Sequence, residues 1–471
     1  MRKVTQDDVD KLLQAPEFDP EWYRRTYPDV GLSGVDPAWH YLRYGVRMWR
    51  DPGPDFPAAF MRVAYRMEDR HEPLSRLRFL RRKYDGYLPP PDPRYVLMAA
   101  HEVARRGNPQ RAVALAEAHL SPELGFTAEV LRANAALASG DEAGWQRALN
   151  GYLGHYGMAG VRLAEGPGTI FDRLLPAPTP EITGGPLVSV IMPAWNAEKT
   201  LRKAAGSILA QSWRNLELLI VDDASPDGTW AVMQEIAAAD SRVRILRNTA
   251  NVGPYVSKNL ALLQARGDLI TGMDADEWSL PDRIARQMAH IRDRTETLCG
   301  CVFSCIRTFD TGGVTFISQA SEKRPDAVLT LHPITLMLPR RFMLDALGSW
   351  DSARFGADTE LIKRAAFLMD GALHNVFVPS MLYIDAPGSL TNHPETAFNV
   401  ERGMSPLRRA YRETWLAWQA EEMDLTNAYC MFPPHERRYH VPEGAAVPLA
   451  DILTTLPEPT RDPIRDKDTQ P

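Results

Sequence analysis

Three apolar stretches, each of strand length and each followed by a polar turn, constrain this chain more than any other feature. They cover residues 187–192, 216–221 and 268–273. Segments with helical spacing of apolar residues separate them, and a fourth, shorter strand is predicted at 243–246. This alternation of strands and helices predicts an α/β domain with a mostly parallel, Rossmann-like sheet.

The turns after two of these strands are acidic. Asp222 and Asp223 follow the second strand, and Asp274 and Asp276 follow the last one. In an open α/β sheet, ligands bind in the crevice at the carboxyl ends of the strands. The four acids therefore indicate a site for a cation or for a ligand of the sugar-nucleotide type.

Composition narrows the class of protein. The chain has 471 residues, of which 44% are hydrophobic and 24% are charged, and these are ordinary values for a globular protein. The net charge of −6 does not predict a basic surface for nucleic acid. The four cysteines do not suggest a disulfide framework, which indicates a reducing compartment, and Cys299, Cys301 and Cys305 match no common zinc spacing.

The sequence predicts a cytoplasmic protein. The N-terminus lacks the apolar core of a signal peptide, and no window holds about 18 uninterrupted apolar residues. Residues 72–83 are rich in Arg and Lys, and such a helix either lies on an anionic membrane or is a solvated helix face. Peripheral contact with the inner face of a membrane therefore stays open.

The N-terminal part of the chain is predicted to be all-α. It carries aromatic residues and Asp-Pro pairs that start at Asp19, Asp36 and Asp51, and Asp before Pro favours a helix start. The helical hairpins that follow resemble those of tetratricopeptide type and are predicted only as an array of α-hairpins, and such arrays commonly bind proteins or pack on a neighbouring domain. The predicted domains are a small helical aromatic and Asp-Pro module (1–60), a helical hairpin region (61–165), a linker (166–186), the α/β domain (187–400) and a C-terminal helix with a partly disordered tail (401–471).

Four motifs in the α/β domain resemble those of family 2 glycosyltransferases. They read, in chain order, VSVIMPAWNAEKTL, QSWRNLELLIVDDASPDGT, NVGPYVSKNLALLQARGDLITGMDADEWSLPDRI and FGADTELIKRA. The resemblance covers about residues 187–370 and implies the GT-A fold, a nucleotide-diphospho-sugar donor and inversion at the anomeric carbon. Residues 18–56 also resemble a small module often found beside bacterial polysaccharide glycosyltransferases.

The resemblance implies an enzyme that transfers a hexosyl or N-acetylhexosaminyl group to a glycan or glycoconjugate acceptor in bacterial surface polysaccharide synthesis. A UDP-sugar is the expected donor, and the N-terminal helices would offer a surface to a protein partner. Two alternatives stay open. One is a non-catalytic domain of the same fold that binds sugar nucleotide or glycan, although such a domain does not need a positioned base. The other is a nucleotidyltransferase, which would carry a Gly-rich basic loop where this chain has PAWNAEKT.

The acidic turn after the last strand is the predicted metal site. A departing nucleoside diphosphate gains negative charge that Mn²⁺ or Mg²⁺ neutralises, and these ions take one or two protein carboxylates. The resemblance implies Asp276 as a direct ligand and Asp274 as a contact to the ribose or, through water, to the metal. It also implies His393 as a late metal or diphosphate contact. The alternatives are a turn of solvated acids and an ordinary exposed loop histidine.

The resemblance also assigns residues to the donor nucleotide. Asp223 matches the position that hydrogen-bonds uracil, and Trp195 matches the position that stacks on the base. Lys258 stands where the family usually has Arg, so it keeps the charge but not the planar fork. The predicted nucleotide-binding residues are Pro193, Ala194, Trp195, Asn196, Glu198, Asp223, Lys258, Asp274 and Ala275.

An inverting transfer needs a carboxylate that takes the proton from the acceptor hydroxyl. The resemblance places Asp358 at the position of this base, with Glu360 as the alternative. Asp358 also has a purely structural interpretation, as the cap of a helix predicted at 359–368. Trp350 lies in the acceptor region and is predicted to stack on a sugar face.

Overall fold

The computed structural model describes residues 4–68, 72–292, 298–315, 317–321, 324, 326–385, 395, 396, 398, 399 and 403–456. The chain separates into two units. The first comprises Met1–Tyr152 and Phe316–Val328, and the second comprises Leu153–Thr315 and Leu329–Pro471. A short segment from the middle of the sequence therefore belongs to the N-terminal unit. The finer domain boundaries expected from the sequence stay predictions.

The first unit is α-helical, as the sequence predicts. Asp19 and Asp36 start helices as expected, because each side chain accepts a hydrogen bond from the backbone N–H three residues further on, at 2.8 and 2.9 Å. Asp51 starts no helix, so that expectation is wrong. Its carboxylate accepts a hydrogen bond from Ala58 N (2.8 Å) and forms an ion pair with Arg111 (3.0 Å), which joins distant parts of the unit.

Aromatic residues form much of the core of the first unit. Tyr23 and Tyr41 are fully buried, and their ring centroids lie 5.6 Å apart in an edge-to-face arrangement. Tyr152 donates a hydrogen bond to Asp326, which lies in the inserted segment. The helices that begin in this unit are α1 (Gln6–Leu13), α2 (Pro20–Thr26), α3 (Pro28–Ser33), α4 (Pro37–His40), α5 (Ala58–Ala64), α6 (Pro73–Lys83), α7 (Pro93–Arg105), α8 (Pro109–His119), α9 (Ala128–Ala138) and α10 (Glu142–His155), with a π-helical turn at Tyr41–Gly45 and a 3₁₀ turn at Gly125–Thr127.

Among the described residues, the second unit contains two larger sheets and two short two-stranded sheets. Its strands are β1 (Val161–Leu163), β2 (Leu174–Pro176), β3 (Val188–Ala194), β4 (Leu216–Asp222), β5 (Val243–Arg247), β6 (Leu269–Gly272), β7 (Trp278–Ser279), β8 (Gly300–Thr308), β9 (Thr330–Leu331), β10 (Leu338–Pro339), β11 (Leu373–Ile384), β12 (Phe398–Asn399) and β13 (Gly403–Met404). The first sheet has the order β10-β6-β3-β4-β5, in which β10 is antiparallel and the other four strands are parallel. The second has the order β7-β11-β8-β9, in which β8 and β11 are parallel. The mostly parallel first sheet confirms the predicted fold class.

Helices cover both faces of the first sheet. A central strand such as β3 is therefore apolar on both sides. Every residue of β3 is buried. Val190 and Met192 pack in the core on one face, while Ile191 packs in the core on the other. Each large apolar side chain buried in this way contributes roughly 1.5–3 kcal/mol, which is why a continuous apolar run forms a central strand. The helices are α11 (Ile170–Arg173), α12 (Leu201–Leu209), α13 (Thr229–Ala239), α14 (Gly253–Gln264), α15 (Arg283–Arg292), α16 (Arg340–Phe342), α17 (Ala357–Leu368), α18 (Pro406–Glu421) and α19 (Leu449–Thr455), with a 3₁₀ turn at Pro333–Thr335 and a π-helical turn at Met343–Leu347.

The C-terminal segment packs on the second unit. Val447 and Ile452 lie in one apolar cluster with Val256 of α14, so α14 is covered on its outer side as well. The predicted C-terminal helix is present as α18, and ordered structure continues through α19, while residues 457–471 lie outside the described residues. Within the part of the chain that the structure describes, no helix is both long and apolar enough to cross a membrane.

Candidate active site

The carboxyl ends of β3, β4 and β6 bring three loops to one edge of the first sheet. Met273 N donates a hydrogen bond to Ile191 O (3.0 Å), which joins the acidic turn to β3. Asp223 N donates to Ala194 O (2.9 Å), which joins the loop after β4 to the same strand. Donor-binding residues predicted from three separate strands are therefore neighbours, as the parallel topology requires.

The loop after β3 is held by the loop after β4. Asn196 N donates to Ser225 Oγ (3.1 Å), and Glu198 N donates to an oxygen of Asp227 (3.1 Å). Glu198 accepts in return from Gly228 N (3.1 Å). Asn196 and Glu198, both predicted at the nucleotide, thus position the loop that carries Trp195.

Trp195 presents its indole ring to solvent at this edge. The side chain is 56% exposed, whereas Pro193 and Ala194, at the end of β3, are buried. Asn196 follows with φ = 51°, a left-handed conformation that Asn adopts more readily than most residues. The turn therefore ends the strand and leaves an aromatic face on which a planar base can stack.

Asp223 is buried, and its carboxylate accepts hydrogen bonds from the protein. Oδ1 accepts from Val252 N (2.9 Å) and Asn248 Nδ2 (2.8 Å), and Oδ2 accepts from Gly253 N (2.7 Å). Burial raises the pKa of Asp223, although these hydrogen bonds oppose the shift. Because α14 begins at Gly253, Asp223 anchors the start of that helix, a role that sequence reasoning missed. Its contact with a base stays a prediction.

Asp274 and Asp276 are partly exposed, on either side of the buried Ala275. Partial burial in the turn, together with the neighbouring carboxyl of Glu277, raises the pKa of Asp274 to about 6 and that of Asp276 to about 7. Among the described residues, no group of three or more His, Cys, Asp or Glu side chains is placed to hold a metal ion. Two mutually repelling carboxylates nevertheless fit Mn²⁺ or Mg²⁺, because these ions complete their shell with phosphate and water. His393 lies outside the described residues.

His332 belongs to the site, and sequence reasoning missed it. Its Nε2 lies 2.8 and 3.0 Å from the two carboxylate oxygens of Glu277, and both side chains are buried. Burial raises the pKa of Glu277 to about 8 and lowers that of His332 to about 4. The two residues are 55 positions apart, so no local motif marks the pair.

Arg283 places positive charge behind the acidic turn. Its side chain is fully buried, and its guanidinium donates to Gly272 O (2.6 Å) and Thr271 Oγ1 (3.0 Å). Burial lowers the pKa of Arg283 to about 10, while the carboxyls of Glu277 and Asp274 act in the opposite direction. This buried cation therefore offsets part of the negative charge in the turn.

Asp358 lies at the centre of a hydrogen-bonded cluster. Lys258 Nζ is 3.0 Å from Oδ1 and 3.2 Å from Oδ2. Trp350 Nε1 donates to Oδ1 (3.0 Å), and Tyr255 Oη donates to Oδ2 (3.0 Å). The Lys258 side chain is 3% exposed and the Asp358 side chain 21%. The structure thus places Lys258, predicted at the nucleotide, against Asp358, predicted as the base.

The expectation that Asp358 caps a helix is wrong. α17 begins at Ala357, and Gly356, with φ = 80°, is the residue before it. Asp358 therefore lies within the first turn and is free to point into the cluster. Trp350 is 7% exposed and its indole nitrogen is bonded to Asp358, so the ring offers little surface to a sugar.

Glu360 has different surroundings from Asp358. Glu360 and Arg364 are both fully buried, and two guanidinium nitrogens lie 2.9 and 3.0 Å from the carboxylate oxygens. Gln419 of α18 donates to the same carboxylate (3.1 Å). Glu360 therefore joins α17 to α18 and has no oxygen open to an acceptor. This burial argues against its assignment as the alternative base.

A mostly parallel sheet whose loops gather carboxylates at the carboxyl edge is typical of nucleotide- and metal-binding α/β proteins. Residues 189–339 match the family model described as Glycosyl transferase family 2. This part of the chain is a family 2 glycosyltransferase domain, which confirms the predicted resemblance. The resemblance of the N-terminal module stays a prediction.

Several relatives share this domain. Putative glycosyltransferase EpsE of Bacillus subtilis (strain 168) is 41% identical over 111 residues, 23% of this chain and 40% of that protein. The UDP-Glc:alpha-D-GlcNAc-diphosphoundecaprenol beta-1,3-glucosyltransferase WfaP of Escherichia coli is 34% identical over 102 residues, 22% of this chain and 40% of that protein. The matches thus span 40% of the length of both relatives. Among solved structures, S. aureus TarS 1-349 in complex with UDP-GlcNAc is 17% identical, with a TM-score of 0.36 over 43% of this chain and 59% of that chain.

Proposed function

We propose that the protein is a glycosyltransferase that moves a sugar from a nucleotide-diphospho-sugar to a glycan or glycoconjugate acceptor. The observation that carries the proposal is the presence of two separate carboxylate groups in the second unit, the turn with Asp274 and Asp276 and the cluster around Asp358. The acidic turn would bind a cation and a diphosphate. The cluster around Asp358 would accept the proton of an acceptor hydroxyl. The name of WfaP includes UDP-Glc and a diphosphoundecaprenol acceptor, which supports a UDP-sugar donor and a role in bacterial polysaccharide synthesis.

Asp274 and Asp276 would hold Mn²⁺ or Mg²⁺ beside the diphosphate of the donor. A cation bound there supplies neutralising charge to the departing nucleoside diphosphate. Trp195 provides the stacking face for the base, on a loop that the β4 loop holds in place. Arg283 stabilises the acidic turn from behind, so the turn keeps its shape before the donor binds.

Asp358 takes the proton in the proposed transfer, which inverts the anomeric carbon. The acceptor oxygen forms a bond to that carbon while the bond from the carbon to the phosphate oxygen breaks. The electron pair of the broken bond leaves with the nucleoside diphosphate, and the hydroxyl proton passes to Asp358. Because Lys258 contacts both oxygens of Asp358, one contact can give way to the acceptor hydroxyl while the other holds the carboxylate.

A non-catalytic domain of the same fold is the second candidate. The observation that favours it is the hydrogen bonding of Asp358, since Lys258, Trp350 and Tyr255 together occupy about four acceptor positions of its carboxylate. A glycosyltransferase needs one of these acceptor positions to take the proton of the acceptor hydroxyl, whereas a domain that only binds its ligand needs none of them. Turnover therefore separates the two candidates.

The decisive experiment is a screen of UDP- and GDP-sugars with Mn²⁺ or Mg²⁺ that scores nucleotide release. We expect release by the wild-type protein, loss with EDTA, and losses of about 10²-fold or more in Asp276→Ala and Asp358→Asn. Asp345→Asn, which changes an exposed acid, is the matched control. Equal release by wild type and both site variants would remove the site assignment. Donor binding without release in any condition would support the binding domain.

A further inference from the structure

Arg408 lies in the first turn of α18, next to the Asp358 cluster. Ser405 caps the helix by accepting a hydrogen bond from Arg408 N (3.2 Å). The guanidinium carbon lies 5.3 Å from the centre of the Phe355 ring, three residues before Asp358 in the chain. One turn further along α18, Tyr411 donates a hydrogen bond to Asp351 (2.9 Å). The first turn of α18 is therefore fastened to the loop that leads into Asp358.

The guanidinium of Arg408 has no ionic partner among the described residues. Its Nε is buried and makes no hydrogen bond with the part of the chain that the structure describes. Arg364 and Arg437, in the same unit, are ion-paired with Glu360 and Asp351 at 2.9 and 2.6 Å. Burying an N–H group without an acceptor is unfavourable, so folded proteins usually pair such groups. The Arg408 side chain is half-buried, and among the described residues its buried Nε has no hydrogen-bond acceptor, so an anionic ligand beside the proposed site would satisfy it.

The contact with Phe355 brings the guanidinium of Arg408 close to the loop that leads into Asp358. Burial lowers the pKa of Arg408, while Tyr255, Tyr383 and Asp358 raise it. Tyr255 and Asp358 are bonded to each other at 3.0 Å, so the cation lies near the cluster that holds the proposed base. Asp358 is already paired with Lys258 and does not form an ion pair with Arg408. The positive charge of Arg408 therefore remains available to a ligand on the side of the Asp358 cluster where α18 lies.

We propose that Arg408 binds a phosphate group of a substrate. The guanidinium is planar and presents paired donors that match phosphate oxygens, and the Phe355 ring orients it. The carboxylates of the site repel a substrate phosphate. Away from the acids that would hold a metal ion, a cation such as the Arg408 guanidinium is needed to bind it. The inference rests on the proposed function, since the phosphate comes from either the donor diphosphate or a phosphate-bearing acceptor. Arg408 lies outside residues 189–339, so the family match does not include it.

The test compares wild type, Arg408→Ala and Arg408→Lys, with Arg409→Ala as the matched control because Arg409 is the next residue and is exposed. Calorimetric titrations use UDP, uridine and inorganic pyrophosphate, the last both alone and on UDP-saturated protein. In the donor case, Arg408→Ala weakens UDP binding about 10- to 100-fold and leaves uridine binding unchanged. If the phosphate belongs to the acceptor, Arg408→Ala binds UDP as wild type does. It then loses a pyrophosphate site that wild type shows when it is saturated with UDP. Arg408→Lys should keep part of the affinity in either case.

The inference is overturned if Arg408→Ala binds UDP and pyrophosphate as tightly as wild type does. Thermal unfolding of each variant shows whether it is folded, and Arg408→Lys replaces Arg408→Ala if the latter is not. The proposed function fails separately, when wild type releases no nucleotide from any donor. In that event the pyrophosphate titration of wild type against Arg408→Ala still decides the inference. Uridine binding that falls as much as UDP binding would also contradict it, since uridine has no phosphate.

Discussion

The contrast between Glu360 and Asp358 allows a sharp test of which carboxylate is the base. Glu360→Gln removes the charge from an ion pair in which both side chains are fully buried. Arg364 would then remain in the interior without a carboxylate. Breaking a buried pair in this way costs about 3–5 kcal/mol of the free energy of unfolding. At about 2–4 °C per kcal/mol, the melting temperature should fall by about 6–20 °C.

Asp358→Asn should behave differently. It also leaves a buried cation, Lys258, without its partner, but the Asp358 side chain is 21% exposed, so water screens the change and the loss of stability is smaller. Its main effect should be a fall of about 10²- to 10⁴-fold in turnover per folded molecule, which is the usual contribution of a general base. Glu360→Gln should retain turnover close to that of wild type.

The assay has two parts. Thermal unfolding gives the melting temperatures, and nucleotide release is measured well below the lowest of them, so that every variant is folded. Glu421→Gln, an exposed acid on α18, is the control for charge loss. Two results would refute the reasoning. An unchanged melting temperature for Glu360→Gln would contradict the energy assigned to the buried pair, and a large loss of turnover in Glu360→Gln, with turnover retained in Asp358→Asn, would make Glu360 the base.

Three further predictions follow from single side chains. Trp195→Ala should weaken nucleotide binding by about 1–3 kcal/mol without lowering the melting temperature, because the ring is 56% exposed; equal binding of UDP by variant and wild type would rule out stacking. Asp223→Asn places an amide donor against the N–H groups of Val252 and Gly253 and should cost about 1–3 kcal/mol in urea unfolding, and an unchanged midpoint would contradict the anchoring role. Burial lowers the pKa of His101 to about 4, below its value in the unfolded chain. The contribution of neutral His101 to stability is therefore present above about pH 6.5 and is lost as the pH falls toward 4. His101→Gln should lose less stability than wild type between about pH 7 and pH 4.5, and equal losses in the two proteins would contradict this prediction.

Strand positions in the α/β domain were readable from the sequence because their cause is local. A run of apolar residues that is buried on both faces of a sheet has no polar alternation, and such a run stands out in any sequence. The strand predicted at 216–221 is β4, Leu216–Asp222, and the strand predicted at 268–273 is β6, Leu269–Gly272. The acidic turns follow directly, so their place at the carboxyl edge of the sheet was predictable too.

The identity of helix ends and of buried partners was harder to read. The sequence favoured Asp358 as a cap because Asp is a strong cap residue, but Gly356 adopts the left-handed conformation and α17 starts one residue before Asp358. Glu360 follows Asp358 by two positions, which on a helix is about 200° of rotation, so the two carboxylates had to face opposite sides. Helical period predicts this separation, but it does not say which side faces the site.

Pairings between distant residues were set by tertiary packing alone. Lys258 and Asp358 are 100 positions apart, and His332 and Glu277 are 55 apart. Whether an ionisable side chain is paired or, like Arg408 within the described part of the chain, left without an ionic partner depends on which segments the fold brings together and how much water they exclude. Local propensity and apolar patterning act within a few residues and contain no such information. The sequence therefore identified the domain and its acidic turns, and the tertiary structure gave the carboxylates their different surroundings and partners.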